Sequence, residues 1–142
     1  MRPSRLSATL LGNYRTARYE VAFRGLTLRL TVGEPLPPRL RAWLGEARGA
    51  ALVTPAAPFG RSRLPGAERA VFRRFIAQLR RTGRRHLRGE GRSGTDASWP
   101  AEASALVALA CRADAVVLGS TFRQNAVLWA RRSGPVLLLP LR

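Results

Sequence analysis

The chain has no lysine. Its 142 residues carry 25 basic side chains, all arginine, against 8 Asp and Glu, for a formal net charge of +17. One cysteine, Cys111, cannot close an internal disulfide and is too few for a thiolate zinc cluster. One histidine, His86, excludes any site that needs two imidazoles. No apolar run approaches the roughly 18 residues that span a bilayer, so no membrane partner is expected. The Leu10–Leu11 pair is too short for a secretory core, which argues against export. A P-loop, a G-x-S-x-G elbow and metal-ligand spacing are all missing, so neither cofactor nor metal is implied. What is present is globular in composition, 46% hydrophobic, and long enough for one domain with a real core. The expectation is a soluble, cytoplasmic protein with a large positive field.

The choice of arginine over lysine carries little weight, because a GC-rich codon bias gives the same substitution alongside abundant Ala, Leu and Gly. The shortage of acids is not explained that way, since acidic codons tolerate high GC. A field of this size attracts polyanions and speeds their encounter, whatever its origin. Residues 1–19 hold four arginines and no acid, a composition shared with mitochondrial presequences. We read residues 1–18 instead as a basic lead-in, followed by a single domain over 19–142.

Alternating residues at 19–23 and 26–32 around Arg24-Gly25 predict a β-hairpin. Leu40, Trp43, Leu44 and Ala47 recur at helical spacing, and Ala50 to Thr54 reads as a buried strand. Pro55 to Pro65 is a loop. The clearest helix runs from Pro65 to Arg81, with Phe72, Phe75, Ile76 and Leu79 at i, i+3, i+4 and i+7. Arg85 to Arg88 reads as a strand and Gly89 to Pro100 as a polar loop. Strand and helix compete at Ala103 to Ala110. Ala113 to Arg123 reads as a helix, with Ala115, Leu118, Gly119 and Phe122 on one face, and a closing hairpin joins 126–130 to 136–139. The fold class is α+β: one domain, a mixed and mostly antiparallel sheet, and about three helices packed on it.

On the helix wheel Arg69, Arg73 and Arg80 form a stripe beside the apolar sector, with Arg74 and Arg81 on a second. Arg84, Arg85, Arg88 and Arg92 follow, making this the densest basic region. Guanidinium forks match phosphate oxygens; the bland alternative is a solvated helix face. No aromatics interleave with the stripes, so stacking of single-stranded bases has no support in the pattern. Glu68 falls on the apolar sector of the first turn, where it serves either as a dipole-stabilising carboxylate or as an acid/base group. Gly89-Glu-Gly-Arg-Ser-Gly94 matches G-x-G-x-x-G, but no helix follows it, so the dinucleotide reading is rejected and only an anion-binding nest with Arg88 and Arg92 survives. His86 reads as a surface residue and Cys111 as a small buried one.

Thr54-Pro-Ala-Ala-Pro-Phe59, Glu68, Gly89-Glu-Gly91, Trp99-Pro-Ala-Glu102, Leu118-Gly119, Phe122-Arg-Gln-Asn-Ala126 and Pro135-Val136 appear in one order over about residues 50–139. In this the chain resembles the bacterial domain-of-unknown-function 3293 family, whose early strand fits Tyr19. The resemblance implies a small cytosolic α+β domain, a strand at 103–110 and a helix at 113–124. Departures are clear: the family reads Trp-Asn-Pro at 56–58, Glu-Asn at 68–69 and Phe-Gly-Gln at 122–124. With the resemblance, Glu68, Trp99, Glu102, Gln124 and Asn125 become a candidate polar pocket, whose Glu68 and Glu102 would be the catalytic candidates. Glu90 is a further candidate ligand contact.

Three functional readings follow. The first is binding of a nucleic acid or another phosphate-bearing anion through Arg69, Arg73, Arg80, Arg84, Arg85, Arg88 and Arg92. The second is an enzyme or small-ligand domain using the Glu, Gln, Asn and Trp pocket. The third is a module docking an acidic protein.

Overall fold

The computed structural model describes residues 12, 14–55, 65–92 and 101–141. Seven strands form one sheet: β1 Arg18–Phe23, β2 Leu26–Leu30, β3 Gly49–Val53, β4 His86–Arg92, β5 Glu102–Leu109, β6 Ala126–Arg131 and β7 Leu137–Pro140. Their order is β2-β1-β4-β5-β3-β6-β7, and every neighbouring pair is antiparallel. Three helices are described in full: α1 Pro38–Leu44, α2 Pro65–Arg81 and α3 Arg112–Thr121. The chain is a single-sheet α+β fold.

The hairpin of β1 and β2 turns on Arg24 at φ 49° and Gly25 at φ 79°. Two left-handed central residues give the turn whose twist matches the strands it joins. Pro38 presets the first turn of α1, and Leu40 and Leu44, one turn apart, are fully buried. In α2 the predicted apolar stripe holds, with Phe75 and Leu79 buried. That helix closes on Gly83 at φ 69°, where the Gly83 N–H donates to Arg80 O and the Arg84 N–H to Leu79 O.

Side chains alternate across the sheet, so its two faces carry separate cores. Val21, Phe23, Leu30, Leu52, Leu106 and Leu128 point to one face, with Leu36, Leu40 and Leu44 over them; this is the α1 face. Val53, Val107, Val127, Trp129 and Leu139 point to the other, beneath Phe75 and Leu79 of α2 and Ala115 of α3; this is the α2–α3 face. A Cβ at Gly119 would lie 2.6 Å from Val127 Cγ1, so glycine lets α3 sit close on β6.

Two sequence expectations need correction. β4 continues to Arg92, through Gly89-Glu90-Gly91, which reads as loop. Both glycines are packing residues on the α1 face. A Cβ at Gly89 would lie 2.8 Å from Ser104 Oγ, and one at Gly91 would rest on the Tyr19 ring. Gly89 to Gly91 is laddered to both β1 and β5, so this backbone forms sheet and not an anion-binding nest. Cys111 is exposed, not buried, and occupies the position before α3 without capping it. His86 is half-buried, its Nδ1 3.0 Å from Arg84 O. The predicted loop at 56–64, the segment 93–100 and residues 1–11 lie outside the described residues. No helix among the described residues is long and apolar enough to cross a membrane.

Candidate nucleic-acid interface

The described residues cover the α2–α3 face over only part of its width. β3, β5 and β6 lie under the two helices, and β3 is buried along its whole length. The wing formed by β2, β1 and β4 has no described element over that face. Its side chains there follow from the register. Arg29, Glu20 and Glu90 stand in one row across the three strands, Thr27 and Ala22 in the next, and Arg18 is paired with Arg92 in the row above. Arg88 stands two residues before Glu90 on the same face. Arg18, Ala22, Thr27, Arg29, Arg88 and Arg92 are exposed, and Glu20 and Glu90 are half-buried.

Helix α2 forms the wall of this open wing. The guanidinium of Arg88 lies over the Phe72 ring, 4.6 Å from its centroid, which fixes the flank of α2 that meets β4. Arg69, Arg73 and Arg80 run along that same flank, just outside Phe72 and Ile76. All three are exposed, and none makes a hydrogen bond or ion pair with a described residue. The result is a trough with arginines on its wall and its floor. At its base a cavity of about 350 Å³ is lined by Glu20, Ala22, Thr27, Arg88, Glu90 and Ala103 among others. Between described residues one ion pair forms, Arg92 to Glu90 at 3.0 Å. Half-exposed and solvated, it does little to offset the surrounding charge.

Arg84 and Arg85 belong elsewhere. They lie at the end of the sheet where β3 begins, in a larger groove of about 770 Å³ with Gly45 to Arg48 and Ala108 to Ala110. Arg85 there has a structural task. Its Nη1 donates to Trp43 O at 2.7 Å and its Nη2 to Leu44 O at 2.6 Å, and it stacks 5.0 Å from the centre of the Trp43 ring. It therefore satisfies carbonyls that the end of α1 leaves open. The C-termini of α1 and α2 both reach this groove, and their partial negative charge works against an anion.

Of the candidate pocket residues, Glu102, Gln124 and Asn125 lie at the opposite end, where β3 finishes and β5 and β6 start. Asn125 and Gln124 are buried, 4% and 6% exposed. Asn125 Nδ2 donates to the Tyr14 hydroxyl at 3.0 Å, and the Tyr19 hydroxyl donates to Tyr14 O. Glu102 opens β5 opposite Gly91, on the α1 face beside Tyr19. Burial pushes the Tyr19 phenol well above its ordinary range, and Tyr14 and Glu102 nearby raise it further. Gln124 Nε2 donates to Phe122 O at 3.1 Å, closing the end of α3. Glu68 sits half-buried in the first turn of α2, over the other face of the sheet. The structure thus groups Glu102 and Asn125 with the two tyrosines, while α2 carries Glu68 on the far side. Glu90 faces the trough, away from Glu102. Trp99 lies outside the described residues.

A protein-family model matches residues 53–127, more than half of the chain. The chain belongs to the DUF3293 family. That family is described as a protein of unknown function. Searches of the curated proteins and of the solved structures found no match. The structure explains one departure from the DUF3293 pattern. Where the family reads Phe-Gly-Gln, this chain places Arg123 at φ 55°, the left-handed position that ends α3. Glycine adopts that conformation without cost, and arginine does not. Other DUF3293 positions, Glu102 and Asn125 among them, lie at the pocket end. Glu20, Ala22, Thr27 and Arg29 of the trough fall before the matched segment. Sequence reasoning missed these four, since they sit some 40 residues or more from the arginine-rich stretch. The signal that marks them is the polar alternate face of the first hairpin, Arg18-Glu20-Ala22 against Thr27-Arg29.

Proposed function

We propose that this protein binds nucleic acid along the trough between α2 and the open β2-β1-β4 wing. One observation carries the reading: arginines of β1, β2, β4 and α2 converge on a groove that no described element covers, and those of α2 have no acidic partner among the described residues. Unneutralised guanidiniums along a groove exchange small counterions for phosphates, and the released counterions supply the affinity. Arg69, Arg73, Arg80, Arg88 and Arg92 supply this contact, joined by Arg18 and Arg29. Arg84 lies beyond the end of the trough, and Arg85 supports α1.

Binding of a labelled single strand tests it. With about five phosphates neutralised, affinity falls about a hundredfold between 50 and 200 mM salt, a log–log slope near −3.5. A slope near zero, or no binding at 50 mM salt, overturns the reading.

A second reading has its own support. The buried amide of Asn125, bonded to Tyr14 in a group with Tyr19 and Glu102, and the buried amide of Gln124 next to it in the chain are an unusual polar investment in a chain this small. They support a small-ligand site at the end of the sheet, with Glu102 as its charged group. Glu102→Gln then abolishes ligand binding and leaves the salt-dependent binding of strands unchanged.

A further inference from the structure

The trough holds one feature that a phosphate surface does not call for. Glu20 lies in the middle of it, directly opposite Glu90 across the β1–β4 ladder. Like charges facing each other across strands are destabilising, and acids here repel phosphate. Glu90 is held by Arg92. The Glu20 carboxylate makes no hydrogen bond or ion pair with any described residue, although Arg29 stands opposite it on β2. It is half-buried and lines the cavity that Arg88 also lines.

We propose, on the reading above, that Glu20 is a base-reading residue that selects guanine in a single strand. A carboxylate has two acceptor oxygens and, when ionised, no donor. It pairs best with two donors side by side. Among the bases guanine offers these, as N1–H and the N2 amino group on one edge. Cytosine and adenine offer one exocyclic amine beside an acceptor nitrogen, and thymine offers one N–H between two carbonyls. In a duplex the guanine edge is already paired, so the site takes unpaired strands. The floor beside Glu20 is small, Ala22, Thr27 and Ala103, which leaves room for a base. Stacking comes from Arg88 and not from an aromatic ring. Its guanidinium is backed by Phe72 on one side and exposed on the other, and such planes serve as platforms for unstacked bases. An acid that weakens phosphate contact everywhere therefore contributes discrimination at one nucleotide.

The test uses three labelled single strands of about ten nucleotides: all thymine, thymine with one central guanine, and the same strand with hypoxanthine in place of guanine. Hypoxanthine lacks the N2 amino group. The wild type binds the guanine strand about tenfold more tightly than all-thymine, and hypoxanthine loses most of that gain. Glu20→Gln binds all-thymine at least as tightly as the wild type, because a repulsive charge is gone, and its preference for guanine collapses to below about twofold. Binding of all-thymine with the expected salt slope, but with no guanine preference or with a preference that survives Glu20→Gln, overturns the assignment of Glu20 alone. No binding of any strand overturns the proposed function, and this inference with it.

Discussion

The two halves of the sheet are built alike and finished differently. β3 is buried along its whole length and β6 over four of its six residues, with helices or apolar loop on both sides. β1 and β4 are buried on the α1 face alone, and on the other face the wing carries exposed arginine, threonine and alanine beside half-buried glutamates. One backbone architecture thus serves two purposes. The covered half closes the core, and the wing leaves a polar platform beside a basic helix. Arginines differ by the same division. Arg85 is spent on the carbonyls of α1, whereas Arg69 and Arg73 are spent on nothing within the described residues.

The largest expected effect contrasts the two halves by truncation. Phe75 is fully buried and packs edge-on to Phe122 at 4.7 Å between ring centres. Phe75→Ala costs about 3–5 kcal/mol of stability, read from denaturant unfolding. Thr27→Ala on the open wing stays within about 0.5 kcal/mol. Equal losses at the two sites would erase the distinction.

A smaller effect separates the arginines. Arg85→Ala removes two charge-assisted hydrogen bonds and a ring contact, and lowers stability by about 1–2 kcal/mol. Strand affinity changes little. Arg73→Ala does the reverse, leaving the unfolding midpoint in place and reducing the salt slope by about 0.7 for the lost phosphate contact.

The smallest effect concerns an arginine that neither half uses. Arg123 holds a left-handed backbone at the end of α3, so Arg123→Gly raises stability by about 1 kcal/mol. A loss of stability instead would mean that the Arg123 side chain makes a contact worth more than the strain.

The covered half was the more legible in sequence. The stripe of α2, the run at β3 and the closing hairpin each repeat at the period of a buried element, and the turn at Arg24-Gly25 set the first hairpin. β4 was not legible past Arg88, because a strand with one open face and two glycines shows almost no apolar alternation. Its glycines look like loop until the Tyr19 ring and Ser104 are seen against them. The basic stretch at 69–92 was visible, but its division was not: nothing local tells Arg88, facing the trough, from Arg85, turned to α1. The other side of the trough comes from residues 18–29, and only the sheet order that sets β1 beside β4 brings the two together. Gln124 and Asn125 were found through the family pattern, while the burial that makes them notable depends on tertiary packing.

On the proposed function, the open wing receives the strand, and not the covered half or the larger groove. A chemical-shift map of backbone amides on titration with a short thymine strand tests it most directly. Shifts are expected to concentrate at Ala22, Thr27, Arg88 and the exposed flank of α2 around Arg73, with Val117 and Ser120 on the outside of α3 unmoved. Shifts centred on Gly45 to Arg48 and Thr82 to Arg84, or on α3, would contradict it.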